Sequence, residues 1–259
     1  MENIFSQLPS PVDILLDPLS LYVLGAYGLL IAWEEIFPAR KLPKVKNWRI
    51  KGLTFFFTYF FVASYLPLFT DPYLAEYQLM DLSQWGVIPS AIIGFVILET
   101  VQYAYHRLMH KYDFFWRNFH QVHHSAERLD CYGALFHSPL DMIGFTMVGS
   151  ISFALIVGLS PYAITINIFV INFLAFFQHA NIHTPRWVGY LVQRPESHSV
   201  HHGRNIHRYN YADLPLIDMI FGTFQNPESY TKATGFYEGA SSKIWAMFRG
   251  KDVSKPSKS

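Results

Sequence analysis

The sequence predicts an all-α integral membrane bundle of four to five membrane helices, including one hairpin, beneath a histidine-rich cap on its cytoplasmic side. Three observations predict it. The 259-residue chain is 51% hydrophobic and only 15% charged, against about 25% charged in soluble domains. Its apolar residues are bunched into long charge-free stretches. Ten of its twelve histidines fall into four short clusters, all after position 105.

The charge-free stretches run from Pro18 to Trp33, Gly52 to Thr70 and Leu82 to Leu98. A bilayer crossing takes about 20 mostly apolar residues, so each is a candidate span, slightly short without its flanks. A fourth stretch, Met142 to Gln178, holds 37 residues without a charge or a histidine. That is too long for one span and fits a tight helical hairpin. Gly158-Leu159-Ser160-Pro161 in its middle reads as the turn, with Ser160 as N-cap and Pro161 at the first helical position. Ser138-Pro139-Leu140-Asp141 offers a similar start, with an acid three residues after the cap. Buried helices of a soluble protein would alternate with amphipathic ones, and these do not.

Charge asymmetry orients the spans. Residues 1–17 carry no Lys or Arg, the loop 40–51 carries six, and the loop 71–81 is acidic only. By the positive-inside rule the 40–51 loop is cytoplasmic and the N-terminus is not. Counting spans from there puts all four histidine clusters at one cytoplasmic membrane face. Three segments are expected: a non-cytoplasmic stretch over 1–17, a membrane domain over 18–224, and a polar cytoplasmic tail over 225–259 that is mobile from Arg249 on. The N-terminus lacks the basic region and cleavage site of a signal peptide. A net charge of +1 gives no support for nucleic-acid binding. The single cysteine, Cys131, excludes an internal disulfide and a Cys-rich metal site and reads as a small buried residue.

The clusters are His106-Arg-Leu-Met-His110, His120-Gln-Val-His123-His124, His179-Ala-Asn-Ile-His183 and His198-Ser-Val-His201-His202. Imidazole is the commonest protein metal ligand, and helical residues three and four apart share a face. His106, His110, His120, His123, His124, His179, His183, His198, His201 and His202 are therefore assigned to metal. Ten imidazoles are too many for one ion; two ions would have about five each, leaving positions open for small molecules. Imidazole suits iron, zinc and copper alike. A site at a membrane face suits a lipid chain, and oxidising an unactivated C–H bond requires redox-active iron and dioxygen, so the setting favours iron. His137, just before the Ser138 cap, is assigned structural or supporting work. Glu99 stands two turns before His106 on the face shared by Tyr103 and His110. An ionisable residue within a span faces the protein interior, and ligating histidines donate their second N–H to carboxylates. Glu99 is the leading supporting acid, with Asp218 and Asp141 next; Asp141 is equally explained by helix capping. Asn172 reads as bonded within its own bundle.

The box series HxxxH, HxxHH, HxxxH, HxxHH resembles the fatty acid hydroxylase superfamily, which includes sterol desaturases, sphingolipid and fatty-acid hydroxylases, and alkylglycerol monooxygenase. Glu99, Tyr103, His106, Arg107 and His110 are similar to the superfamily's acid–Tyr–His-Arg pattern, and Trp116 to Ser125 (WRNFHQVHHS) to its second box. Asn210-Tyr211, Leu214, Asp218 and Phe221-Gly222-Thr223 resemble its closing segment, with Ala212 in place of the usual Gly and Ile217 in place of the usual Trp. The resemblance covers roughly residues 30–224. It implies two non-haem iron ions, dioxygen as co-substrate, and a lipid (sterol, fatty acyl or related) hydroxylated or desaturated at a C–H bond. Tyr103, Glu99 and Asp218 would support the metal ligands. Electrons would come from a separate cytochrome b5-, ferredoxin- or reductase-like donor, since residues 225–259 are too short for a fused haem domain. The basic loop 40–51 would attract an acidic donor or, more simply, anionic headgroups. The membrane would be a bacterial inner membrane or the endoplasmic reticulum. Two other readings are ether-lipid cleavage of the alkylglycerol monooxygenase kind and a non-enzymatic membrane metal-binding or transport protein. Transport would place ligands near the bilayer midplane, away from the helix ends where these boxes fall.

Overall fold

The computed structural model describes residues 8–256. Five helices are long and apolar enough to cross a membrane: α1 (Pro18–Ile36), α2 (Trp48–Ala75), α3 (Val87–Lys111), α4 (Pro139–Ile156) and α5 (Pro161–His179). No more than 33% of any span's apolar window is buried inside the protein, so most of each helix surface is left for lipid. The fold is all-α: among the described residues the only β feature is an isolated bridge between Gly203 and Thr234.

Three of these helices begin where the sequence supplies a cap. Asp17 accepts the Leu19 N–H ahead of Pro18. Ser138 and Ser160 accept the N–H groups of Asp141 and Ala163, each with proline next in the chain. These side chains satisfy amides that the first helical turn leaves unpaired, and the hairpin falls where the sequence places it. The spans outrun the charge-free stretches because helices do not end at the first charge. α2 has 28 residues and carries Pro67 and Pro72, which membrane helices tolerate. α3 starts at Val87 rather than Leu82, because Gly86 turns the chain at φ 83°.

α2 packs against α4, and α5 lies between α1 and α3. The links 37–47, 112–138 and 180–256 therefore share one end of the bundle, and 76–86 and 157–160 share the other. At that other end α4 finishes in a π turn, Ile151–Ile156. The carbonyls of Leu155, Ile156 and Val157 take the N–H groups of Leu79, Met80 and Leu82.

At the first end the chain forms a packed cap. Trp48 donates to Asp130, and Glu34 of α1, buried at the helix end, accepts N–H groups from Cys131 and Asn181, each at 3.0 Å. Cys131 is a buried free thiol, as its sequence context suggests. The tail is no mobile appendage as far as Val253. Tyr230 donates to the Ile182 carbonyl at 2.6 Å, Thr234 to the Glu127 carbonyl, and the buried Val253 donates its N–H to Gln121. Arg40, one of the six cations of the basic loop, is spent here: it lies over the Tyr230 ring and donates to Thr231.

The α2–cap contact rests on Gly52, where a Cβ would overlap the Tyr132 carbonyl. Gly52→Ala should cost about 1–3 kcal/mol by overpacking, read as a lowered unfolding temperature in detergent. Gly28→Ala, with open space around it, should not lower that temperature.

Candidate metal centre

The cap brings nine of the ten box histidines into two adjoining groups. His106, His110, His120, His124 and His201 form the first, and His123, His179, His198 and His202 the second; within each, one nitrogen per ring lies within 4.8 Å of every other. His106 and His110 sit on the last two turns of α3. The second box spans a π turn, Trp116–His120, and a short helix, Gln121–His124. His179 ends α5, and the fourth box lies on α6 (Pro195–His201) and its C-cap, His202. The two HxxHH boxes are split in opposite senses. His120 and His124, four apart, join the first group while His123 crosses to the second; His198 and His202 join the second while His201 crosses to the first. The groups meet where His124 and His202 stack at 4.3 Å.

His183 stays out. α5 ends at His179, and Ala180 is extended (φ −62°, ψ 144°), so the four-residue spacing no longer places both rings on one helix face. The His183 side chain is 77% exposed, with its Nδ1 3.9 Å from Glu196. The structure thus corrects its place among the ten expected ligands.

The outer nitrogens fix the tautomers. His106 Nδ1 donates to the Tyr211 carbonyl at 2.8 Å, His201 Nδ1 to Tyr209 at 2.7 Å, and His179 Nδ1 to Ala175 at 2.6 Å. His120 Nδ1 donates to Asp141 at 2.8 Å. Carbonyl and carboxylate oxygens only accept, so each of these rings keeps a proton on Nδ1, and the Nε2 it turns inward is bare whenever the ring is neutral. Yet the inward atoms crowd together. The Nε2 atoms of His106 and His120 are 2.9 Å apart, and His179 Nε2 lies 3.1 Å from those of both His123 and His198. The buried Nε2 atoms of His110, His124 and His201 have no partner. With both rings in the neutral form that a metal ligand takes, two lone pairs would face each other across 2.9 Å with no proton between them, and a shared cation removes that repulsion. Ligands about 2.1 Å from an ion and at right angles are about 3.0 Å apart, which is the spacing found. The residues fit two metal ions.

Burial, followed by the neighbouring imidazoles, holds His123, His124, His198, His201 and His202 well below the usual histidine value. These rings are neutral, as a ligand must be.

The supporting acids work differently from expectation. Glu99 touches no histidine; its Oε2 accepts the Leu214 N–H at 2.8 Å. Asp218 accepts the Tyr211 and Ala212 N–H groups, each at 2.9 Å, and the Thr223 hydroxyl at 2.7 Å. Tyr103 shares a 3.0 Å hydrogen bond with that hydroxyl and accepts from Arg107. All three hold the loop 203–214, whose carbonyls in turn hold His106 and His201. The acid that touches ligands is Asp141, whose Oδ2 accepts from His120 at 2.8 Å and His137 at 2.7 Å, while its N–H is capped by Ser138. His137 stacks on His123 at 4.1 Å, so Asp141 reaches both groups. His207 joins as well, its Nδ1 3.1 Å from that of His124. Asn172 bonds within its own helix, to Ile168. Glu34 is a supporting acid that the sequence reading missed, although an acid at the cap end of a span was a signal of the same kind as Glu99.

The profile of the fatty acid hydroxylase family matches residues 91–223, just over half of the chain, and the chain belongs to this family. Sphinganine C4-monooxygenase 1 of Arabidopsis thaliana is 28% identical over 160 residues, 59% of this chain and 60% of that protein. Ornithine lipid hydroxylase of Rhizobium tropici is 29% identical over 61% of this chain and 48% of its own length. Human alkylglycerol monooxygenase is 31% identical over 58% of this chain and 34% of its own length. The chain thus spans about three fifths or less of these relatives. No solved structure matches it.

The neutral histidines set a pH dependence. Their native pKa values lie below the ordinary value of 6.5, so below pH 6.5 the unfolded chain binds protons that the native chain refuses. The contribution of these histidines to the stability of the metal-free protein should therefore be fully present above about pH 6.5 and be lost as pH drops through it. Denaturant midpoints of apoprotein on either side of that pH check this.

Proposed function

We propose that this member of the fatty acid hydroxylase family is a membrane di-iron oxidoreductase that hydroxylates or desaturates a lipid C–H bond at the cytoplasmic face, drawing electrons from a separate donor. The observation that carries the reading is the set of inward-facing Nε2 atoms, 2.9–3.1 Å apart, in two adjoining groups. Family membership and five lipid-exposed helices support a lipid substrate. The relatives' names, two monooxygenases and a lipid hydroxylase, point to oxygen insertion into a lipid. Hydroxylation inserts one oxygen atom of dioxygen into the C–H bond and releases the other as water, consuming two electrons and two protons.

The first group would hold one iron through His106, His110, His120, His124 and His201, and the second would hold its partner through His123, His179, His198 and His202. Two irons bound there would supply the redox chemistry that activates dioxygen. The chain's own residues then orient and exclude. Asp141 draws on the Nδ1 protons of His120 and His137, which raises the basicity of the inward His120 nitrogen. Phe145 of α4 lies edge-on to His106 and His137, 5.8 and 5.6 Å away, and against Tyr105 at 5.2 Å. It forms an apolar floor toward the spans that keeps water from the centre and offers a surface for a lipid chain. With four histidines in the second group against five in the first, an ion held by the second would have fewer protein ligands.

Protein purified from iron-supplied cells should contain about two irons per chain and no haem absorption. A folded, metal-free or one-metal protein that still turns over lipid would sink the reading. His123→Ala should abolish turnover and lower metal content while membrane insertion persists. Asp141→Ala should weaken metal affinity about 10–100-fold, measured by competition with a chelator.

A further inference from the structure

Outside the five spans, two short elements of the cap expose an apolar patch that the metal centre does not use. One is the 3-10 turn Arg186–Tyr190, continuing to Leu191, and the other is α7 (Pro215–Ile220) with the two residues after it. Trp187, Tyr190, Leu191, Leu216, Ile220 and Phe221 are each between 51% and 65% exposed. The two elements pack on each other, and Tyr190 meets Phe224 at 5.8 Å. From Trp187 to Leu191 and from Leu214 to Phe224 the only charge is Asp218, which is buried and occupied with backbone amides. A soluble surface rarely exposes so many large apolar side chains together.

The position of the patch says what covers it. α7 packs on α3, and Phe221 stacks on Tyr103 at 4.9 Å. Tyr103 lies eight residues before the end of α3 at Lys111, roughly 12 Å along the helix. Phe221 is thus carried back alongside the membrane helix, about two turns short of its end rather than beyond it, and the 187–191 turn packs on the element that carries it. Exposed Trp and Tyr beside aliphatic residues are the side chains that partition to the headgroup–acyl boundary.

We propose that the 187–191 turn and α7 insert into the acyl boundary of the leaflet beneath the histidine cap, as an interfacial element beside α3. The inserted element backs onto the metal centre: the Tyr211 ring, in edge contact with Tyr103 at 5.8 Å, touches His106 at 5.5 Å and His110 at 5.3 Å. Leaflet lipid against Phe221 is therefore separated from the first histidine group by two aromatic layers. The proposal rests on the membrane spans and not on the chemistry assigned to the centre.

The test is an environment-sensitive fluorophore at Ile220→Cys, in the full chain reconstituted in phosphatidylcholine nanodiscs. Cys131 is buried and stays unlabelled in the folded protein. Leu29→Cys, on an exposed face of α1, sets the lipid limit, and Lys232→Cys, in an exposed polar loop, sets the aqueous one. The label at position 220 should be quenched by spin-labelled lipid and lose the iodide quenching seen at position 232. Iodide quenching equal to that at position 232, without lipid quenching, would overturn the proposal. So would shielding from both quenchers, together with disulfide cross-linking between two copies of the unlabelled Ile220→Cys variant, because a second copy of the chain would then occupy the patch.

Discussion

An imidazole binds a metal only through a bare nitrogen, so something must hold the proton on the other one. For four of the nine grouped histidines that requirement falls on three backbone carbonyls and one carboxylate. The carbonyls of Ala175, Tyr209 and Tyr211 and the carboxylate of Asp141 accept from His179, His201, His106 and His120. With those protons placed and the rings neutral, the inward lone pairs would repel one another until a cation sits among them. The cap is therefore a structure whose polar interior is complementary to positive charge before any ion arrives, at the cost of stability in the metal-free state.

Holding carbonyls in place is the work of the segment 203–214, and it explains the acids around it. Asn205, His207, Tyr209 and Asn210 all have positive φ, a left-handed conformation unfavourable for residues with a Cβ. Asn210 compensates with three side-chain bonds, to the carbonyls of Ser197 and Gln225 and to the Gln225 N–H. Asp218 gathers two further amides, and Glu99 reaches from the middle of a membrane helix to a third. Backbone strain of this kind persists only where neighbours over-determine it. Glu99 is thus explained without contact to any ligand: it aims the loop that aims His106.

The sequence was legible where local chemistry decides the outcome. Charge-free stretches and the Ser-Pro starts at 138 and 160 located five helices and a hairpin. The chelating spacings assigned ten clustered histidines to metal, and nine of them meet in the two groups. His183 does not, because the spacing argument assumes a helix, and the helix stops at His179; Pro185, which disfavours helical geometry in the residue before it, was the available warning. Partners distant in sequence were beyond reach. Nothing local tells Glu99 to meet Leu214, 115 positions away, or Glu34 to meet Asn181. Nor does polarity alone show that residues 225–253 fold back onto the cap, since their anchors are single side chains such as Tyr230.

The crossed boxes have a mechanical consequence. His123 and His124 are neighbours in the chain and serve opposite groups, as do His201 and His202. The offset between the two groups is therefore set twice over by one peptide unit, about 3.8 Å between consecutive Cα atoms, and not by the distance between independently moving helices. Spans in a bilayer tilt and slide as its thickness changes. A pair of sites clamped by adjacent residues rides on that motion without being stretched by it, much as a gauge block keeps its length on a flexing bench.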